Sequence, residues 1–302
     1  MAMSFGIYLS YFMSPNFDVV IPTFNGLELL KKHLPAIYKH TPHLHQVIIV
    51  DNASTDGTAE FLAEKYPGAV CLYQPKNLFF TKAVNLGFKA ATAPLVVLLN
   101  NDVAVLPHYL DRTTLYFHDP EVFAVTLNEI NSSWPDVKWL EGKFQYSRGK
   151  DKIHPHFSAW ASGGSSVIRR SHWLKLDGFD EIYSPGYWED IDLGWRAWKT
   201  GYKIIWEPRS KVEHQHESSF SKLDPTFVSL IKERNELLFT WKNISDRQYL
   251  ISHLKFLIRY SLTHPGYLKV IALALRQISQ IKKSTGRFSD REIMSSVNQV
   301  CG

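Results

Sequence analysis

Residues 186–193, Gly-Tyr-Trp-Glu-Asp-Ile-Asp-Leu, set Glu189, Asp190 and Asp192 beside two aromatics in an otherwise apolar stretch. A separate carboxylate, Asp102, ends a hydrophobic run that starts at Pro94 and closes with Asn100-Asn101. A carboxylate at the end of an apolar strand is costly unless it meets a metal, a proton or a substrate. Two such sites in one chain suggest a division of labour, one carboxylate holding a cation and the other taking a proton. The pattern is that of an enzyme.

The elements that must position these groups alternate along the first 110 residues. Strands are expected over 18–22, 46–50, 70–73 and 95–99, with helices over 27–38, 59–65 and 82–91 between them. Apolar strands without alternation, separated by helices, indicate parallel βαβ units covered on both faces. Ligands of such sheets bind beyond the carboxyl ends of the strands. Thr23, Asp51, Asn77 and Asp102 all stand just past strand ends and should converge on one crevice. Residues 128–158 are polar and aromatic with weak periodicity, and read as strands and loops that bring in an acceptor. A small-residue loop, Ser162-Gly163-Gly164, then leads into a strand, followed by a helix over 188–200 and a strand over 203–208. After Phe227 the pattern is helical.

The 302 residues are 45% hydrophobic and 21% charged, enough for a sizeable core. Cys71 and Cys301 have no metal-ligand spacing and give no disulfide framework. The apolar run 5–13 is too short to span a bilayer and lacks the marks of a signal peptide, and Met13 is an alternative start. The formal charge of +5 is uneven: nine Lys/Arg against Asp246 alone between Lys242 and Arg287 give that segment +8, leaving about −3 elsewhere. Such a balance argues against a nucleic-acid-binding core and for a cationic appendage facing something anionic.

Seven motifs occur in order: Val-Val-Ile-Pro-Thr-Phe-Asn (19–25), Val-Asp-Asn-Ala-Ser-Thr-Asp-Gly-Thr (50–58), Asn77 to Gly87, Leu-Leu-Asn-Asn-Asp (98–102), Asp-Gly-Phe-Asp-Glu (177–181), Trp-Glu-Asp-Ile-Asp-Leu-Gly-Trp-Arg (188–196) and Val-Glu-His (212–214). Together they resemble glycosyltransferase family 2, especially its rhamnosyltransferase-like bacterial members, across residues 17–240. The resemblance implies an α/β GT-A fold, Rossmann-like with a mostly parallel sheet. The expected domains are a catalytic one over 14–240 and a basic amphipathic helical tail over 241–302. It also implies inverting transfer from a nucleoside-diphosphate sugar, with a divalent cation, Mg²⁺ or Mn²⁺, on the diphosphate.

Roles follow residue by residue. Asp51 would accept a hydrogen bond from the pyrimidine ring, the alternative being a turn or helix cap, for which Asp56 is better placed. Thr23, Asn25, Asn77 and Asn101 belong to the same nucleotide-sugar set. Lys82 either reaches a phosphate or sits on the helix surface. Gly163 and Gly164 let backbone amides approach the diphosphate or the acceptor. Asp102 stands at the family's Asp-x-Asp-like element as metal ligand; a hard dication bridging substrate phosphates needs few protein oxygens. His214 is its expected companion, with His216 as competitor. Asp190 is the expected general base and Glu189 the second choice, the acids Glu189 and Asp192 raising the Asp190 pKa. The alternative for these acids is a helix N-terminus that favours negative charge. Trp160, Trp188 and Trp195 offer a sugar-stacking wall. Two departures stand out: Phe79 occupies a position where relatives often have glycine, and Val84 one where others have arginine.

The expected function is sugar transfer from a nucleoside-diphosphate donor, dTDP-rhamnose or a UDP-sugar, to a glycan or polyprenyl-linked acceptor in surface polysaccharide synthesis. A catalytically inactive nucleotide-sugar or glycan-binding protein of the same fold is the alternative. A nucleotidyltransferase would need a glycine-rich basic phosphate loop, which Pro22-Thr23-Phe24-Asn25-Gly26 is not. The expected location is cytoplasmic, peripheral on the inner face of the membrane through residues 242–302. The competing reading of that tail is a helical cap with a solvated basic rim.

Overall fold

The computed structural model describes residues 15–130, 132–215 and 224–301. The apolar run at 5–13, the alternative start at Met13 and His216 lie outside the described residues. The chain opens with β1 (Phe17–Thr23), α1 (Leu27–His40), β2 (Leu44–Asp51), α2 (Thr58–Lys65), β3 (Val70–Tyr73), α3 (Phe79–Ala90) and β4 (Leu95–Leu99). These strands pair in parallel in the order β3-β2-β1-β4, with Val20 opposite both Ile48 and Leu98. Alternate residues of β1 face opposite layers. Val19 and Ile21 meet Leu30, Leu34 and Ile37 of α1, whereas Val20 meets Ala83, Val84 and Phe88 of α3. Both faces are buried, which is why these strands read as unbroken apolar runs. Helix α3 comes unusually close: a Cβ on Gly87 would stand 2.4 Å from Val20.

The sheet then becomes mixed. The chain continues through β5 (Val103–Val105), α4 (Thr113–Tyr116), β6 (Val122–Glu129), β7 (Pro135–Leu140), β8 (Lys143–Arg148), β9 (His156–Phe157), β10 (Ser165–Arg169) and α5 (Arg170–Lys175). Next come α6 (Glu189–Thr200) and β11 (Lys203–His214). Strand β10 is antiparallel to both β4 and β6, while β6 and β11 are parallel. The far end of β11 pairs antiparallel with β5, which sets His214 opposite Val103, next to Asp102. The weakly patterned segment 128–158 resolves into a separate hairpin, β7–β8, joined at Glu141-Gly142.

The helices α7 (Pro225–Asn243), α8 (Arg247–Thr263), α9 (Tyr267–Leu275) and α10 (Asp290–Ser296) complete the chain. The expected division at 240/241 falls inside α7. One hydrophobic core takes Val20 and Trp195 together with Phe256, Val270, Ile293 and Val297. Lys242, counted above among the tail's cations, is buried and ion-paired to Asp180 (2.6 Å) and Asp192 (2.9 Å). Asp290 accepts from the backbone of Ser245 and Asp246 and from the Trp195 indole, fastening α10 to α6.

Candidate active site

A crevice of about 540 Å³ opens beyond the carboxyl ends of β1 and β4. Of the expected residues, Thr23, Asn77, Asn101, Asp102, Gly163, Gly164, Glu189, Asp190 and His214 line it. Thr23 is buried, and its hydroxyl accepts from the Asn101 side-chain amide at 2.9 Å. Gly26 closes over this pair, since a Cβ there would lie 2.2 Å from the Asn101 nitrogen. Asn25, Asp51 and Lys82 are not among the lining residues. Asn25 ties the first two motif loops together, donating its N–H to Ser54 Oγ and accepting from the Thr55 N–H. Asp51 is buried with Oδ1 accepting from the Ser54 N–H at 2.9 Å, so one oxygen caps the turn. Asp56 caps more extensively, accepting from the backbone of Leu27 and Thr58. Lys82 is exposed and pairs with Glu181 at 3.2 Å.

Ser162 of the expected glycine loop and Phe79 of the departing third motif also line the crevice, as do Phe24, Asn52, Phe80, Asn100 and Tyr187, which received no role from the sequence. Phe79 is the most informative of them. It adopts φ +62°, a left-handed conformation costly for a bulky side chain and natural for the glycine of relatives. Phe79 thus holds a conformation that glycine adopts without cost, with its ring half in solvent at the crevice mouth.

At the β4 end, Asp102 is 1% exposed, with Oδ1 3.1 Å from His214 Nε2. Its Oδ2 is buried without a hydrogen-bond partner. His214 Nδ1 lies 3.1 Å from Glu129 Oε1, and Glu129 also accepts from the hydroxyls of Ser162 and Ser165. Burial works against an imidazolium at His214, but Asp102 and Glu129 outweigh it and raise the pKa to about 9. Glu129 is shifted down: burial pushes it up, and His214 with the two serines pulls it further the other way. Glu129 was invisible in the sequence because its partner His214 reaches it only through the pairing of β11 with β6. Gly164 is held without a side chain by proximity, a Cβ there meeting Asn100 at 2.7 Å and His214 at 3.1 Å. Gly163 has room for one, and its N–H donates to Asp190 Oδ2 at 3.4 Å. No group of three or more His, Cys, Asp or Glu suited to a metal is gathered among the described residues. The orphaned Asp102 oxygen beside His214 fits a dication that takes its remaining oxygens from a bound diphosphate.

At the other end, α6 begins at Glu189 after Trp188 in a left-handed conformation. Asp190 is half-buried, and its pKa is pushed up to about 6 by burial, with the charge of Glu129 adding to the rise. The expected direction holds, but its main causes are burial and Glu129 rather than the expected neighbours Glu189 and Asp192. Asp192 is fully buried and accepts from Tyr183, Asn243, Arg196 and Lys242. Burial alone would raise its pKa, yet Arg196, Lys242 and Asn243 hold it down at about 2. It is a structural anchor. Glu189 also lines the crevice, 6% exposed with Oε2 unpartnered, and burial beside Asp190 raises its carboxyl well above the usual range.

Asp190 borders a second cavity of about 360 Å³ as well, walled by Trp134, Tyr146, Arg148, Trp160, Ser162 and Glu129. Of the three tryptophans expected to stack on sugar, Trp160 faces this cavity, with Tyr146 edge-on at 5.0 Å. Trp195 is fully buried against Phe144 and Phe239, and Trp188 packs on the same two rings, so neither faces this cavity.

The profile of the family described as "Glycosyl transferase family 2" matches residues 18–173, just over half of the chain. The chain belongs to glycosyl transferase family 2. Within the family it is 25% identical over 294 residues to an N-acetylglucosaminyl-diphospho-decaprenol L-rhamnosyltransferase of Mycobacterium tuberculosis, covering 85% of this chain and 94% of that one. It is also 25% identical over 213 residues to the O-antigen chain rhamnosyltransferase WbaN of Salmonella anatum, with 67% of each chain covered. Among solved structures, GalNAc-T7 with UDP, GalNAc and Mn²⁺ superposes with a TM-score of 0.66 at 14% identity, covering 94% of this chain and 56% of that one. A Pyrobaculum calidifontis mannosyltransferase with GDP-Man and Mn²⁺ gives 0.57 at 20% identity, covering 90% and 77%. These likenesses show the GT-A fold. The protein is thus a family 2 glycosyltransferase, and the profile match ends before Asp190 and His214.

Proposed function

We propose that the protein is an inverting transferase that moves a sugar from a nucleoside-diphosphate donor to a hydroxyl of a polyprenyl-linked glycan in surface polysaccharide synthesis. The observation that carries this reading is Asp190, whose carboxylate stands in the wall shared by two cavities. With the donor in the crevice and the acceptor in the aromatic cavity, Asp190 takes the proton of the acceptor hydroxyl as its oxygen attacks the anomeric carbon. The bond from that carbon to the diphosphate breaks on the opposite side, and the diphosphate leaves with the electron pair. A pKa near 6 leaves the carboxylate ionised at neutral pH yet more basic than an ordinary aspartate. No covalent intermediate is needed.

Asp102 and His214 would hold a divalent cation, Mg²⁺ or Mn²⁺, which neutralises charge on the leaving diphosphate. His214 must give up its proton to ligate, and the nearby Glu129 carboxylate then steadies the ring through Nδ1. The relatives named above point to rhamnose as the donor sugar, with a UDP-sugar as the other option, and to a lipid diphosphate acceptor. Such an acceptor accords with a cytoplasmic protein held peripherally on the inner membrane face. An inactive binding protein of this fold is the second reading, and the poised Asp190 speaks against it.

Nucleoside-diphosphate release from a panel of donors, with and without Mn²⁺ or Mg²⁺, tests the proposal. Asp102→Ala is expected to abolish the dependence of donor affinity on divalent cation. Wild-type activity untouched by EDTA overturns the cation assignment, and release from no donor favours the binding protein.

A further inference from the structure

Helices α8 and α9 pack by one face only. Inward, Phe256 and Tyr260 stack at 5.2 Å, Tyr260 meets Tyr267 at 4.9 Å, and Val270 and Ala274 are buried. Outward, Ile251 (47% exposed), Leu254 (59%), Ile258 (57%) and Leu262 (80%) recur at helical spacing along one stripe of α8. On α9, Leu268 and Leu275 are exposed to 55% and 48%. Leu254, Ile258, Leu268 and Leu275 are each followed directly by an exposed cation: Lys255, Arg259, Lys269 and Arg276. No Asp or Glu occurs from Arg247 to Ser289. Exposed aliphatic side chains in such a row mark a binding face rather than a solvated rim.

The charge decides among occupants. A second copy of the chain docking by the same face would oppose this acid-free segment with its own like charges. A neutral apolar partner would leave the cations without counter-charge. We propose that this face docks on an anionic lipid bilayer, the aliphatic side chains entering the headgroup boundary while Lys255, Arg259, Lys269 and Arg276 reach the phosphates.

The β7–β8 hairpin connects this face to the chemistry. Near its turn it lies on α8, with the Trp139 indole donating to Ser252 Oγ at 2.8 Å and His253 Nδ1 2.8 Å from the Gly142 carbonyl. At its far end Tyr146, Ser147 and Arg148 wall the cavity shared with Asp190. Strand β8 has six residues and spans about 17 Å. A lipid-linked acceptor can keep its chain in the bilayer while its sugar lies along the hairpin; this last step alone rests on the proposed acceptor.

Truncation is a poor test, because Asn243, Ile293 and Val297 belong to the buried interior. The full chain is instead sedimented with phosphatidylcholine vesicles with and without phosphatidylglycerol. Wild type is expected to bind the anionic vesicles and to be released by salt. Ile258→Glu/Leu262→Glu is expected to lower the partition about tenfold or more, and Lys255→Glu/Arg259→Glu to remove the salt-sensitive part. Both variants should release nucleoside diphosphate from donor in solution as wild type does, which reports an intact transferase independently of the surface. Equal partition of wild type and the Ile258→Glu/Leu262→Glu variant, or no preference for anionic lipid, overturns the proposal. So does a wild-type dimer in sedimentation equilibrium that this variant dissolves. Vesicle binding without transfer to any polyprenyl-linked acceptor supports the surface and rejects the acceptor.

Discussion

Asp102 is delivered to the crevice by β4 itself, one turn past a strand whose residues are all apolar and buried. Asp190 reaches the same crevice from the start of a helix whose approach loop is held from afar. The Asn235 side chain donates to the carbonyls of Tyr183, Gly186 and Tyr187, and Arg234 donates to that of Ser184. Lys242 and Asn243 then grip Asp192 two residues beyond the base. The donor end is thus positioned by backbone topology, and the proton-accepting end by side chains some fifty residues downstream. The contrast teaches that family motifs report the first kind of placement well and the second poorly. It also places the greater sensitivity to remote substitution at the Asp190 end.

The sharpest test removes the base itself. Asp190→Asn is expected to reduce transfer by about 10²- to 10⁴-fold, with donor binding by calorimetry nearly unchanged. In wild type at saturating divalent cation, kcat/KM should rise with pH and level off above about 6, where the carboxylate is ionised, falling about tenfold per unit below it. A dead Glu189→Gln beside an active Asp190→Asn would move the base one residue back.

A smaller effect probes the remote grip. Asn235→Ala leaves three loop carbonyls without their donor and should lower stability by about 1–3 kcal/mol in urea melts. At temperatures where it stays folded, kcat should drop by about ten- to a hundredfold through misplacement of Asp190, while nucleotide affinity holds. Loss of both in equal measure would erase the distinction between the two ends. The mildest change is Phe79→Gly, which frees a residue at φ +62°. A stabilisation of about 0.5–1 kcal/mol is expected, with donor KM shifted severalfold by loss of the ring at the crevice mouth.

Much of the donor end was legible in advance. The strands at 70–73 and 95–99 have the expected bounds, because short apolar runs bounded by turn residues admit few readings. Helix α3 starts at Phe79 rather than Lys82, since Asn77 turns the chain by accepting from the Phe79 N–H. The base end was read less fully. Asp192 looked like one acid among three, and nothing in residues 188–196 signals that Lys242 pairs with it and Asn243 donates to it. Glu129 lay in a polar segment without periodicity, and Asn235 in a helix where an asparagine is ordinarily an exposed neutral substitution. Their roles arise from tertiary contacts that no local pattern records.

The grip of α7 on the loop before Asp190 has a consequence for biosynthesis. Chains emerge from the ribosome amino end first, and domains fold as they appear. The donor end is complete only once β11 has set His214 beside Asp102, and the base remains unmoored until residues 235–243 follow and Asp290 ties α10 to α6. A chain cut short before α7 therefore lacks both the contacts that hold the Asp190 loop and part of the shared core. The last support of the proposed base is thus made well after the family motifs have left the ribosome.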